Sequence, residues 1–161
     1  MAEIPPPREA TRLIGHDAAE IRLLEAWNSS RMPHAWLFTG PRGIGKAALA
    51  FRLARFALLN GTACAAKESV PNLFGESEIG PLTNKLAIDP ALPVARLVAN
   101  GGHPDLLVIE RSINQKTKTL RRDIVVEDVA ALSSFLRLTP AGGGWRVVIV
   151  DSVDEMNRNA A

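Results

Sequence analysis

The stretch Gly40-Pro41-Arg42-Gly43-Ile44-Gly45-Lys46 narrows the folds open to this chain more than any other. Five largely apolar residues, 35–39, precede it and read as a short strand, and an alanine- and leucine-rich helix follows it. Gly40, Gly43 and Gly45 keep the loop bare of side chains and allow backbone angles that other residues resist. Successive N–H groups can therefore turn inward as an anion nest. The helix that follows adds unpaired N–H donors and the positive end of its dipole, and Lys46 adds a mobile cation. Strand, glycine loop and helix in this order form a phosphate-binding loop.

The motif is G-x-x-x-x-G-K-[ST], and its last position supplies the hydroxyl that ligates nucleotide-bound Mg²⁺. Here that residue is Ala47, whose methyl group cannot hold a metal. By analogy with charge-assisted hydrogen bonds the loss costs about 1.5–3 kcal/mol, or roughly 10- to 150-fold in Mg-nucleotide affinity. A second apolar run, Trp145 to Asp151, has four consecutive β-branched residues and ends in a carboxylate. This is the pattern of a parallel central strand, and Asp151 stands at the Walker B position of a P-loop protein.

The chain has 161 residues, 47% hydrophobic and 22% charged, which suits one globular domain with a real core. Its net charge of +2 is too small to argue for nucleic acid by bulk electrostatics. The single cysteine, Cys64, excludes an intrachain disulfide and a multi-cysteine zinc site. No run reaches the ~18 apolar residues of a membrane span and the N-terminus lacks signal-peptide character, so a cytoplasmic location is expected.

In chain order, residues 1–12 with Pro5-Pro6-Pro7 predict an extended lead-in. A helix follows over 18–28, with Asp17 as N-cap and Ile21, Leu24 and Trp27 on the core face. The loop helix is expected to run through Ala57 and to stop at Asn60-Gly61. Residues 62–84 read as an irregular insertion. A short helix opening at Asp89 or Pro90 reaches Val98 and ends at Gly101-Gly102, before a buried strand over 105–110. Arg111, Lys116, Lys118, Arg121 and Arg122 then form a basic stretch without acidic residues. It could meet DNA phosphates, but no aromatic residue is interleaved to stack on bases, which favours a solvated hairpin or loop. Val126 or Glu127 opens a last helix through Val129, Leu132, Phe135 and Leu136.

Four segments together, LIGH at 13–16, HAWLFTGPRGIGKAALA at 34–50, GGHPDLLVIE at 101–110 and DIVVEDV through GGWRVVIVDSVDEMN at 123–157, resemble the delta-prime family of bacterial DNA polymerase III clamp-loader subunits. The resemblance implies an α/β fold of the P-loop NTPase, AAA+ type, with a parallel sheet in the order 5-1-4-3-2. It implies partner subunits of the delta and gamma/tau types, and through them the sliding clamp and primed DNA. Hydrolytic AAA+ proteins place a glutamate directly after the Walker B aspartate, and this chain has Ser152 there, with Glu155 four residues beyond Asp151. Loss of a positioned base typically lowers rates about 10²- to 10⁴-fold.

The resemblance therefore implies a stator within a nucleotidyltransferase holoenzyme, with little or no ATPase activity of its own. No cofactor is required on this reading; weak Mg-ATP or Mg-ADP binding is the most expected of the loop, and zinc is not expected. The competing readings are an active AAA+ ATPase of the gamma/tau type and a P-loop kinase or other nucleotide-dependent transferase. The resemblance also implies a partial AAA+ domain over 1–161, truncated after the Walker B strand, with the sensor, lid and collar regions and the arginine finger outside the chain. Only strands 35–39, 105–110 and 146–151 of the sheet are then present. Their open edges predict rearranged pairing or strand exchange between chains.

Overall fold

A computed structural model describes residues 5–29, 31–68 and 83–160, with the side chains of 62–68 outside that description. After the lead-in, helix α1 spans Asp17–Asn28. His16, not Asp17, occupies its N-cap position without a side-chain cap bond. Asp17 lies in the first turn instead, where its charge complements the helix dipole. The helix buries Leu23 and Leu24, whereas Ile21, expected on the core face, is 55% exposed. Trp27 packs edge-on against Phe56, with ring centroids 5.0 Å apart, and lies 5.5 Å from Trp145.

Helix α2, Lys46–Glu68, is the longest element and organises the core. One side carries Leu49 and Phe56 into a cluster with Leu23, Leu24 and Leu86, joined by Leu13, Trp27 and Phe38. The other side carries Phe51 and Ala54 against Val98 and Ile149. Two apolar faces on one helix fit an element enclosed by neighbours. The expected stop at Asn60-Gly61 is overturned, since the helix continues for seven residues past Gly61 and takes in the start of the expected irregular insertion. Gly61 serves packing. A Cβ there would come 2.5 Å from Cδ1 of Trp145 and 3.1 Å from the Trp145 backbone nitrogen. Residues 69–82 of that insertion lie outside the described residues, and Thr83 near its end exchanges hydrogen bonds with Asn28.

Helix α3, Pro93–Ala99, starts later than expected, because Asp89 and Pro90 belong to a turn in which the Asp89 carboxylate accepts the Ala91 N–H at 2.8 Å. Pro93 then takes the first helical position, where a missing N–H does no harm. Strand β1, Leu106–Glu110, helix α4, Val126–Arg137, and strand β2, Val147–Asp151, form a parallel crossover unit with register Leu106↔Val147 to Glu110↔Asp151. Helix α2 packs on β2 and α3, and α4 packs on β1. Both strands are only partly buried, with Ile109 and Ile149 their inward residues.

The predicted strand at 35–39 has no ladder partner among the described residues, although its backbone remains beside the core. Phe38 is its contact with the cluster, and Leu37 is 73% exposed. Strand propensity needs a neighbouring backbone to become a strand, and β1 and β2 have taken each other. The expectation of rearranged pairing is thereby overturned: β1 and β2 are neighbours as strands 2 and 3 of the 5-1-4-3-2 order would be.

Asp105 and Arg146, adjacent to the two strands, fix the loop between α4 and β2. The buried Asp105 carboxylate accepts the N–H groups of Ala141 and Gly142 at 2.8 and 3.0 Å. Arg146 lies 3.6 Å from that carboxylate, stacks 4.6 Å over the Phe135 ring and donates to the carbonyls of Phe135 and Thr139. These are charge-assisted bonds in a half-dry setting, which hold a glycine-rich loop that has little apolar content of its own.

Candidate functional site

The glycine loop has the backbone its sequence called for. Gly40, Gly43 and Gly45 have φ values of 143°, 79° and 103°, a region that L side chains rarely adopt. The LIGH segment closes on the loop from one side. The His16 ring donates from Nε2 to the Ile44 carbonyl at 2.7 Å, and a Cβ on Gly45 would approach both His16 Nε2 and Leu13 Cδ1 to 3.2 Å. Gly45 is therefore constrained twice, by its angle and by its neighbours.

Lys46 folds back over the start of the loop, donating from Nζ to the carbonyls of Gly40 and Pro41 at 2.8 and 2.9 Å. A phosphate entering the nest would compete with two neutral acceptors for this ammonium. Ala47 follows in the first turn of α2 and contributes only a methyl group. Glycine backbone, Lys46 and a helix N-terminus are a donor set that fits phosphate oxygens. The position after the lysine, which supplies a Mg²⁺-ligating hydroxyl in the motif, carries none here.

Asp151 closes β2, and the Ser152 hydroxyl donates to its Oδ1 at 3.3 Å. The chain then turns through a short 3-10 helix, Val153–Glu155. Its backbone is tied to the segment before α4: Ile124 donates its N–H to the Glu155 carbonyl at 2.7 Å, and Asn157 donates to the Ile124 carbonyl at 3.0 Å. Ile124 itself is fully buried. This arrangement aims the Glu155 carboxylate at two guanidinium groups. Oε1 accepts from Arg42 of the glycine loop at 2.6 Å, and Oε2 lies 2.9 Å from Nε of Arg111.

Glu155 thus joins the end of β1, the turn after β2 and the glycine loop. Both carboxylate oxygens of Glu155 are engaged by guanidinium groups. The sequence presented Glu155 only as a remote candidate base. It missed the partnership with Arg42 and Arg111, which are 113 and 44 positions away. The signal available was the run of basic residues after β1, which invited a partner of opposite charge without naming it.

The basic stretch is a hairpin-like loop closed by an antiparallel bridge between Ile113 and Leu120. Asn114 shapes its tip by accepting the Lys116 N–H at 2.9 Å, and Lys118 has a φ of 58°. Arg111 is taken by Glu155 and Arg121 lies 3.8 Å from Glu127, so the stretch presents fewer open cations than its composition suggested.

A glycine loop opening a helix that packs on a parallel crossover sheet, with an aspartate at the strand end, defines an α/β protein of the P-loop, AAA+ class. The family described as "DNA polymerase III, delta subunit" matches residues 52–161, and the chain belongs to that family. It is 33% identical over 128 residues to DNA polymerase III subunit delta' of Pseudomonas aeruginosa, covering 80% of this chain and 31% of that protein. No solved structure matches the chain. The family match begins at residue 52, beyond the glycine loop, and covers most of α2 and the crossover unit. Among the described residues, no helix is long and apolar enough to cross a membrane.

Proposed function

We propose that this chain is the ATPase-like part of a clamp-loader stator in DNA replication, whose nucleotide site is degenerate. Membership of the DNA polymerase III delta family supports the setting. The observation that carries the rest is the state of the three residues on which turnover would depend. Ala47 stands where a metal-binding hydroxyl is needed, Ser152 follows Asp151 where a base is needed, and Glu155 is held by Arg42 and Arg111. Gly40 to Lys46 then serves as architecture that at most holds a nucleotide weakly.

On this reading the partners are delta and gamma/tau subunits, with the sliding clamp and primed DNA reached through them in the cytoplasm. Neither zinc nor any other cofactor is needed. Calorimetric titration of Mg-ATP into the full chain, followed by phosphate release from the same sample, tests the proposal. Weak or absent binding without turnover is the expected result. Micromolar binding with steady phosphate release would overturn it in favour of an active ATPase of the gamma/tau type.

A further inference from the structure

Away from the glycine loop, a cavity of about 120 Å³ opens between the lead-in, α2 and α3. Four arginines line it, Arg8, Arg52, Arg55 and Arg96, against a single carboxylate, Glu9. Two of the four are matched by acids elsewhere: Nε of Arg52 lies 2.8 Å from Glu20, and Arg8 lies 3.2 Å from Glu110. Arg55 is different. It is 6% exposed, and its partners are the neutral carbonyls of Arg8 and Ala10, at 2.9 and 2.7 Å. A guanidinium has five N–H donors, so these two bonds leave others free among the described residues, where no carboxylate pairs with Arg55, and a buried cation without a counter-ion is unfavourable. Burial, and to a lesser degree the charge of Arg52, lower the Arg55 pKa from its ordinary value. The side chain of Arg96, on the exposed side of α3, makes no ion pair or hydrogen bond among the described residues.

We propose that this cavity binds a single phosphate group between Arg55 and Arg96. Apart from Glu9 and Thr11 the remaining walls are apolar, including Ile88 and Ala95, so an anion there would be partly dry and its attraction to the arginines less screened than in water. Guanidinium forks approaching from two helices suit a tetrahedral oxyanion, and Arg is the side chain best matched to phosphate geometry. The volume excludes a whole nucleotide. The lining shares no residue with Gly40 to Ala47, so the site is independent of the nucleotide reading above. A bound anion would also fasten the lead-in to α2, because Arg55 already holds the carbonyls of Arg8 and Ala10.

The test is a calorimetric titration of inorganic phosphate into the full chain in chloride buffer, with backbone amide shifts followed in parallel. Saturable binding is expected, with shifts at Arg55 and Arg96. Arg96→Gln, an exposed change that leaves the core intact, should weaken it about tenfold or more. Read at the Arg55 and Arg96 amides, Lys46→Ala should leave the affinity within about twofold, as expected of a separate site. Binding that survives Arg96→Gln but disappears with Lys46→Ala would place the anion in the glycine loop and overturn the proposal. So would the absence of saturable heat and amide shifts, which would reduce Arg55 to a clamp on the lead-in.

Discussion

Helix α2 is enclosed along its sides and open at its start, and the two situations are held by different physics. Its flanks meet α1 and the sheet through Phe56, Leu49, Phe51 and Ala54, all nearly inaccessible to water. Its N-terminal loop is exposed, with Ile44 at 51%, and is positioned by the His16–Ile44 bond and the Arg42–Glu155 ion pair. Apolar burial makes the first region costly to alter and indifferent to salt. The second depends on a few polar ties and on glycine angles. A fold of this kind can lose the chemistry of its loop while keeping its core.

The contrast is sharpest at Phe56. Phe56→Ala should destabilise the chain by about 3–5 kcal/mol in denaturant unfolding, through lost transfer energy and the cavity left beneath Trp27. A change under 1 kcal/mol would mean that the helix flanks are looser than their burial indicates. Gly61→Ala tests the same packing from the opposite direction. Helix propensity alone predicts a gain of up to ~1 kcal/mol. Contact with Trp145 predicts a loss of about 1–3 kcal/mol, and the account expects the loss.

At the loop, Glu155→Gln should cost only about 0.5–1 kcal/mol of global stability, because the Arg42 partner is largely exposed and its pairing is screened. Amide exchange in residues 40–46 should nevertheless accelerate while the interior of α2 stays protected. Equal acceleration in both would erase the distinction drawn here.

The smallest effect is expected with pH. His103 accepts the Asp105 N–H at Nδ1, and burial lowers its pKa, with the Asp105 charge partly opposing the shift. The unfolded chain therefore takes up a proton at the ordinary value near ~6.5 while the folded chain resists it. Its contribution to stability is present above that value and lost as pH falls through the depressed folded value. Unfolding midpoints measured between pH ~7.5 and ~5.5 should fall less in His103→Gln than in the natural chain.

Much of this was legible in the sequence because the governing interactions are local. The glycine loop and the start of its helix follow from residue types at fixed spacing, and the parallel strands follow from uninterrupted β-branched runs. What escaped depends on distant partners. Gly61 reads as a stop until Trp145 arrives against it, 84 positions later. Residues 35–39 read as a strand, but a ladder requires a second backbone, and none of the described segments lies alongside. Glu155 reads as a spare carboxylate until the Ile124–Met156 bridge sets its backbone and brings Arg42 and Arg111 to it. The arginine-lined cavity had no signal at all, since its four guanidinium groups are scattered over the lead-in and two helices.

The most direct test of the central claim compares the Mg²⁺ dependence of ATP affinity in the natural chain and in Ala47→Thr. The account predicts weak binding that Mg²⁺ hardly improves in the natural chain, and a gain of roughly 10- to 150-fold with Mg²⁺ once the hydroxyl is restored. Tight, Mg²⁺-dependent binding by the natural chain, unchanged in Ala47→Thr, would contradict it, and would mean that a group other than the residue after Lys46 holds the metal.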